Sequence, residues 1–495
     1  MANRKIVVAG AGMGGLMAAL ILSGRGYDVR VLERAATPGG KMRLLFADGR
    51  PIDAGPTVFT LKRVFEEAFA SVGLDFDACA PAQKAQVLAR HGWDDAARLD
   101  LHADLARAIE SVRAFAGDAE AAGFARFSAD SARVWRSLER SFARAPAPDF
   151  LGLVKGAGFA GLPDLLAVSP FTTLWRGLGG YFRDPRLRQL FGRYATYVGS
   201  SPFLAPATLM LVAHVEQDGV WMIEGGMHRL AQVLAERAQA FGARFCYGAH
   251  VEEIARAGAG FSLRLADGER IPADAVIFNG DANALAQGLL GPDCGAAAPA
   301  ATPDRRSLSA VTWTFASRTR GFPLVRHNVF FSRDYKAEFD ALAQGRMIEE
   351  PTVYVCAQDR GDEDRPRAGA ERLLALVNAP AIGERGALSP QDAAACGRHM
   401  TERLAACGLT LDDPPSLAAM TDPSGFHALF PATGGALYGR ASHGWRASFQ
   451  RPGVRTRVKG LYLAGGSAHP GAGVPMAALS GWAAATCVSA DLTSR

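Results

Sequence analysis

No stretch of this 495-residue chain reaches about 18 uninterrupted apolar residues, so no segment is built to cross a bilayer as a helix. Cysteine is sparse and unordered: seven residues, at positions 79, 246, 294, 356, 396, 407 and 487, without C-x-x-C spacing. That pattern excludes a disulfide framework and a thiolate zinc site, and it suits small buried hydrophobes in a reducing compartment. The ten histidines form no H-E-x-x-H or comparable cluster, so no metal site is expected. Charge is weak too. A formal net charge of +5 with no basic run argues against nucleic acid as a partner and leaves room for mild attraction to anionic lipid. Apolar residues make up 49% of the chain, enough for ample cores, and the length suggests two or three units.

What the chain does have begins at its N-terminus, where residues 5–33 read KIVVAGAGMGGLMAALILSGRGYDVRVLE. Ile6 to Ala9 is a short apolar run suited to a buried parallel strand. Gly10, Gly12 and Gly15 follow in G-x-G-x-x-G spacing and open an apolar helical stretch from Leu16 to about Ser23. A second strand, Asp28 to Leu32, ends in the acid Glu33. Gly10 makes the tight turn, Gly12 lets the backbone approach a pyrophosphate, and Gly15 allows close helix–strand packing. The helix N-terminus offers N–H groups and a positive dipole end to the phosphates. Glu33 is placed to accept from a ribose hydroxyl. Arg4 and Lys5 ahead of the apolar run imitate a signal peptide, but the glycines within that run and the strand after it explain it better. Residues 35–43 read AATPGGKMR, and two glycines followed by Lys41 and Arg43 directly after the second strand point to FAD rather than NAD.

Further along, IDAGPT at 52–57 gives way to a helical pattern from Val58. Strand candidates at Gln86–Ala89 and Ala97–Leu101 alternate with polar helical stretches such as Asp118–Arg144. The segment Pro146–Tyr197 crowds apolar residues (Phe150, Phe159, Phe171, Leu174, Trp175, Leu178, Phe182) between Lys155, Arg176, Arg183, Arg186, Arg188 and Arg193. It suits an interfacial helix pair at a membrane surface, or an ordinary core pair; in either case it can wall a long apolar cavity. Gly225 and Gly226 introduce a helix over Met227–Phe241, with strands at Ala243–Tyr247, His250–Ile254, Phe261–Leu265 and Ala275–Asn279. The return to the cofactor fold would place Val251 near the adenine, and an ordinary buried valine on a strand fits the sequence equally well. Strands at Ser309–Ala316, Asn328–Phe331, Pro351–Ala357 and Leu373–Val377 predict a mixed sheet, and Asp392–Cys407 a helix. Asp359–Arg367 reads as solvated surface and Arg451–Lys459 as a basic turn. Finally, Leu461–Ala464 is a buried strand, Gly465 and Gly466 an approach point, and a helix starts near Pro475, its positive end suited to a reduced flavin.

The GAGMGG, GGKMR, IDAGPT, GVW…GGM and LYLAGGSAHPGAGVP segments together resemble the bacterial carotenoid desaturases of the phytoene-desaturase group. The diverged middle and YVCAQDR at 354–360 resemble the hydroxyneurosporene (methoxyneurosporene) branch. Glu224 stands where phytoene desaturases tend to have proline, and Met476 where they carry a small residue. The resemblance implies an α/β, amine-oxidase-like flavoprotein: a Rossmann-like FAD-binding domain with an inserted mixed-sheet substrate domain and a helical, membrane-facing region. The expected division is FAD-binding parts at 1–75, 219–290 and 451–495, a helical part at 76–218 and a substrate sheet at 291–450. The cofactor site comprises Gly10, Gly12, Met13, Gly14, Gly15, Glu33, Arg34, Gly39, Gly40, Lys41, Arg43, Pro56, Thr57, Val251, Gly465, Gly466, Gly473, Val474 and Pro475.

The activity implied is introduction of a C-3,4 double bond into a 1-hydroxylated acyclic carotenoid, with hydride transfer to flavin N5. Phytoene desaturation is the alternative. The electron acceptor would be oxygen or a quinone, and the location the cytoplasmic membrane face. Because the cofactor carries the hard chemistry, no catalytic residue is assigned. Glu216, Glu224 and His469 can be weighed as proton acceptors, each against a structural role. A flavin amine oxidase would place aromatics near Ser467–Pro470, and none is there. A prenyl-binding escort protein would have less reason to keep both flavin segments.

Overall fold

The computed structural model describes residues 4–148, 171–362 and 369–493. Its first layer is a five-stranded parallel sheet in the order Leu461–Leu463, Ala275–Phe278, Lys5–Ala9, Asp28–Glu33, Arg244–Tyr247. Lys5–Ala9, Ala275–Phe278 and Leu461–Leu463 are short and largely apolar because the sheet is covered on both faces, whereas Asp28–Glu33 and the edge strand Arg244–Tyr247 keep polar residues at half-buried or exposed positions. The helix Met13–Gly24 packs against Met227–Ala240 and the C-terminal Val474–Thr493. Contact is close enough that a Cβ on Gly481 would lie 2.0 Å from the Gly14 carbonyl oxygen. Three antiparallel strands, Val251–Ala257, Gly260–Leu265 and Arg270–Ala273, flank this layer.

The second sheet has seven strands, ordered Met420–Thr421, Ser309–Ser317, Glu371–Ala379, Val353–Ala357, His327–Phe330, Val87–Gly92, Arg98–His102. It is mixed as expected, the parallel pair being Asn328 beside Arg90. Its last two strands match the candidates at Gln86–Ala89 and Ala97–Leu101, and they join this sheet although they lie in the part expected to be helical. Alternation along its central strands sets the function of each face. Val311, Trp313, Val353, Val355, Ala375 and Val377 pack on Cys396, Met400 and Leu404 of the helix Pro390–Ala406. The opposite face presents Thr312, Tyr354, Leu374, Leu376 and Asn378 to a cavity, with Thr312 and Tyr354 both directly opposite Leu376.

Helices Asp118–Leu138 and Leu211–Asp218 roof that cavity, and Leu105–Ala116, Leu174–Leu178 and Pro185–Gly192 complete the roof's outer part without lining it. The helix expected to run to Arg144 ends at Leu138 and continues as a wider turn, Glu139–Ala143. Phe124, Phe127, Phe182 and Phe191 stack into the roof's own core, with Phe182 and Phe191 centroids 4.8 Å apart. Leu174, Leu178 and Phe182 are therefore core residues, not part of an interfacial face. The rest of the expected interfacial pair, 149–170, lies outside the described residues.

Two surface expectations are corrected. Arg360, in the stretch read as solvated, is buried and pairs bidentately with Glu371 at 2.5 and 2.6 Å, the two side chains 4% and 1% exposed. Asp362 accepts the N–H groups of Gln86 and Val87; residues 363–368 lie outside the described residues. Arg451, read as the start of a basic turn, is also buried, and it donates to the carbonyls of Tyr438, Arg440 and Gly466. In both cases a charged sequence run conceals one inward side chain whose guanidinium is held by several hydrogen bonds. The seven cysteines are free, five of them buried and Cys79 and Cys246 half-buried.

Candidate active site

The parallel sheet ends on its carboxyl side in a cluster of glycines gathered around Asn279. Gly10, with φ +104, turns the chain out of the first strand, its N–H on Leu32 O at 2.8 Å. The Asn279 side chain fills the space that Cβ atoms would need at Gly12, Gly14, Gly15 and Gly465, at 2.8, 2.9, 2.9 and 2.5 Å. Its Nδ2 donates to Ala464 O at 3.1 Å, while its Oδ1 is buried with no partner among the described residues. The helix Met13–Gly24 has no side-chain cap and no acid in its first turn, so its leading N–H groups and dipole are free for an anion. Gly39 donates to Ala11 O at 2.8 Å and Gly40 crosses Gly12 so closely that a Cβ would sit 3.1 Å from its Cα. The glycines thus form one cradle, open on one side.

Glu33 accepts the N–H of Ala11 at 2.7 Å and of Ala35 at 2.8 Å, which fixes its carboxylate on the cavity wall with lone pairs to spare. Arg34 reaches the carbonyls of Ala428 and Leu429. Lys41 donates to Leu437 O at 2.6 Å and Arg43 to Ala54 O at 3.2 Å. Burial lowers the pKa of both Lys41 and Arg43. Neither forms an ion pair among the described residues, so each brings positive charge to the wall. Asp281, half-buried and pushed up by desolvation, partly balances Lys41. These groups suit phosphates and an electron-rich ring system.

IDAGPT has a structural purpose that its sequence did not disclose. Asp53 caps the helix Met227–Ala240 from a distance, accepting Met227 N–H at 2.7 Å and His228 N–H at 2.9 Å. The helix cannot cap itself, since its preceding residue is Gly226. Thr57 Oγ1 lies 2.6 Å from the Tyr354 hydroxyl, whose oxygen is also 2.7 Å from His327 Nδ1. That contact joins the glycine-rich wall to the second sheet. At the C-terminal segment Gly465 donates to Ser480 Oγ at 2.6 Å, and the last helix begins at Val474, so Pro475 is its second residue.

One cavity of about 1380 Å³ brings the predicted site together. Of the predicted cofactor residues, Gly15 alone lies off its wall. It packs instead against the first strand, where a Cβ would meet Gly10 O at 2.1 Å. Beyond the cradle the wall is apolar, with Val134, Leu138, Leu209, Leu211, Val212, Val215, Leu374 and Leu376. It reaches an exposed pair, Phe171 (73% exposed) and Trp445 (38%), whose ring centroids are 5.5 Å apart. The volume exceeds the roughly 300–1,000 Å³ of most small-ligand pockets, as a site for a dinucleotide and a long apolar substrate requires.

The three weighed proton acceptors separate clearly. Glu216 lines the cavity and accepts from Tyr194 and Tyr197, each at 2.6 Å. Glu224 is exposed and off the wall. His469 is also off the wall, its Nε2 2.8 Å from Phe142 O, and burial lowers its pKa to about 4. It braces the segment, not the reaction. Sequence reasoning missed Asn279, whose signal is a polar residue closing a buried apolar strand. It also missed Arg193 and Tyr335, which line the cavity. Among the described residues no group of side chains could hold a metal, and no helix is long and apolar enough to cross a membrane.

Comparison with known proteins agrees with this geometry. The family described as flavin containing amine oxidoreductase matches residues 13–489. A hydroxyneurosporene desaturase of Rubrivivax gelatinosus is 50% identical over 99% of this chain and 94% of its own length. Another from Cereibacter sphaeroides is 48% identical over 99% of this chain and 98% of its own. Proteins named as phytoene desaturase or dehydrogenase stand further off, at 30–31%. Among solved structures, putrescine oxidase bound to putrescine superposes with a TM-score of 0.61 over both full chains at 15% identity, a likeness of fold. FAD is the cofactor, and the chain belongs to the flavin-containing amine oxidoreductases, in their carotenoid-desaturase group.

Proposed function

We propose that this enzyme introduces a C-3,4 double bond into 1-hydroxylated acyclic carotenoids of the hydroxyneurosporene or methoxyneurosporene type. The observation that carries the reading is the single cavity that runs from the glycine cradle along an apolar wall to an exposed aromatic mouth. A cofactor and a long polyene can share it end to end. The likeness at 48–50% identity supports the hydroxylated substrate over phytoene.

When bound, FAD supplies the hydride acceptor. In this reading Gly10, Gly12, Met13 and Gly14 take the pyrophosphate on the helix N-terminus, and Glu33 takes the ribose. Val251 borders the adenine. Lys41, Arg43, Pro56, Thr57, Gly465, Gly466, Gly473, Val474 and Pro475 surround the flavin. The free helix N-terminus, the unpartnered Asn279 oxygen and the backbone approaches no Cβ would allow all suit such a ligand. The cofactor unit is assembled from 1–75, 219–290 and 451–495, and 76–218 with 291–450 form the substrate side.

Two hydrogens leave C-3 and C-4, one as hydride and one as a proton, and oxygen or a quinone takes the electrons onward. The apolar wall excludes water and holds the polyene against the flavin, where the cationic charge left by hydride loss is delocalised over the conjugated chain. Phe171 and Trp445, with the Arg446 guanidinium 4.8 Å above the Trp445 ring, would sit in lipid headgroups on the cytoplasmic face. The test is absorption of FAD-loaded protein on liposomes carrying phytoene or 1-hydroxyneurosporene. A red shift with the hydroxylated carotenoid alone is expected; a shift with phytoene would move the assignment to the early desaturase.

A further inference from the structure

Most of the substrate side of the cavity is hydrocarbon, yet a guanidinium and a phenol stand in it, the phenol without the partner that burial demands. Arg193, at the end of the helix Pro185–Gly192, lines the cavity and forms no ion pair among the described residues. Its guanidinium lies 5.4 Å from the ring centroids of both Tyr197 and Tyr354. The nearby oxygens are shared, the Tyr197 hydroxyl between Glu216 and Arg193. Glu216 holds the Tyr194 and Tyr197 hydroxyls, and the Tyr354 hydroxyl is held by Thr57 and His327. Tyr335 also lines the cavity, is 5% exposed, and its hydroxyl is buried with no hydrogen-bond partner among the described residues. A buried phenol left in this way needs a ligand oxygen to complete it, and the half-buried Arg193 guanidinium, whose hydrogen bond goes to the Tyr197 oxygen, has further N–H donors for the same ligand.

We propose that Arg193 and the Tyr335 hydroxyl form the subsite that binds the oxygen on C-1 of the carotenoid. This inference rests on the proposed function. Guanidinium nitrogens only donate, and a phenol can donate, so the pair can serve a hydroxyl or a methyl ether oxygen alike. Burial pushes the Tyr335 phenol well above its ordinary range, which keeps it a donor at working pH. Position fits as well. The C-1 oxygen is three bonds from C-3, so whatever holds it must stand beside the reacting carbons. Arg193 meets that condition through Tyr354, which rests on Thr57 of the proposed flavin wall. An acyclic end without oxygen would leave both donors desolvated, so the subsite selects for the oxygenated end by penalising the alternative. Arg193 and Tyr335 are positioning residues here and take no part in hydrogen transfer.

The experiment compares wild type, Tyr335→Phe and Arg193→Met, all FAD-loaded, on liposomes with 1-hydroxyneurosporene or neurosporene. Flavin absorption reports folding, and kcat and KM are read separately. Each variant is expected to lose about 10- to 100-fold in kcat/KM for the hydroxylated carotenoid while keeping or gaining activity on neurosporene. Tyr335→Phe removes one oxygen from a buried ring, so it keeps the test alive if Arg193→Met fails to load FAD. An unchanged preference in folded variants of a wild type that does desaturate 1-hydroxyneurosporene overturns this inference alone. A wild type inactive on that substrate overturns the functional reading, and the inference with it.

Discussion

The Asp53 carboxylate accepts the N–H of Met227 at 2.7 Å, closing a helix N-terminus 174 residues away in the chain. The same carboxylate takes His228 N–H, and a Cβ at Gly226 would lie 2.3 Å from it, so the IDAGPT and GGM segments are two halves of one joint. That joint also sets the wall beside the cavity, because Gln358 of the second sheet's loop bonds the backbone N–H and C=O of Asp53 at 2.9 and 2.8 Å.

Asp53→Ala removes both acceptors from a buried helix start. We expect a loss of about 2 kcal/mol in unfolding free energy, with Asp53→Asn losing less because one acceptor remains. Urea unfolding of the FAD-loaded protein measures it. A change within about 0.5 kcal/mol for the alanine variant would contradict the capping role.

Gly14→Ala places a methyl 2.6 Å from Gly465 N and 2.9 Å from Asn279 Nδ2. Neither the backbone nor the enclosed amide can give way cheaply. The purified variant should lack most of its visible flavin absorption relative to its protein band. Full flavin content would show that the cradle is looser than these distances imply.

Arg360 and Glu371 test a buried ion pair. Removing one partner, as in Arg360→Met, leaves an unpaired carboxylate inside the fold and should cost about 3–5 kcal/mol. Pairing it with Glu371→Leu should recover most of that loss, since the apolar pair needs no solvation. Equal instability of single and double variants in thermal unfolding would show that Thr319 and Leu324 O, which Arg360 also touches, carry the effect.

Phe171 and Trp445 form the exposed end of the cavity. Replacing Phe171 with serine should weaken flotation with anionic liposomes by about tenfold or more, from the apolar area withdrawn, while flavin content stays as in wild type. Unaltered flotation would move the membrane contact elsewhere.

Acid should destabilise the fold through three buried imidazoles. Burial lowers His91 and His327 to about 3 and His469 to about 4. Each stays neutral when folded but takes a proton when unfolded below about pH 6.5. Stability from these groups is therefore complete above that pH and falls as pH drops toward 4, by up to about 1.4 kcal/mol per unit for each. Urea midpoints at pH 7.5, 6 and 5 check the direction, and His91→Phe should flatten the slope. A midpoint that holds steady or rises on acidification would refute the assignment.

The sequence by itself determined the cofactor half. A strand, its glycines, a helix and a terminal acid are local in the chain, so spacing alone reveals Gly10, Gly12 and Glu33. The β-branched and aromatic runs of Ser309–Ser317 and Val353–Ala357 likewise expose a sheet, because such side chains suit a pleated surface. What only the tertiary structure decided is which residues share a point in space. Asn279, Gly465 and Gly14 meet because parallel strands end together on one edge. Asp53 caps Met227 across half of the fold. Arg360 and Arg451 look like surface charge in sequence, but packing turns them inward onto carboxylate and carbonyls. Arg193 and Tyr335 lack local signals for the same reason: a subsite on a cavity wall is assembled from the residue after the helix Pro185–Gly192 and the first residue of the helix Tyr335–Ala343, which chain order keeps far apart.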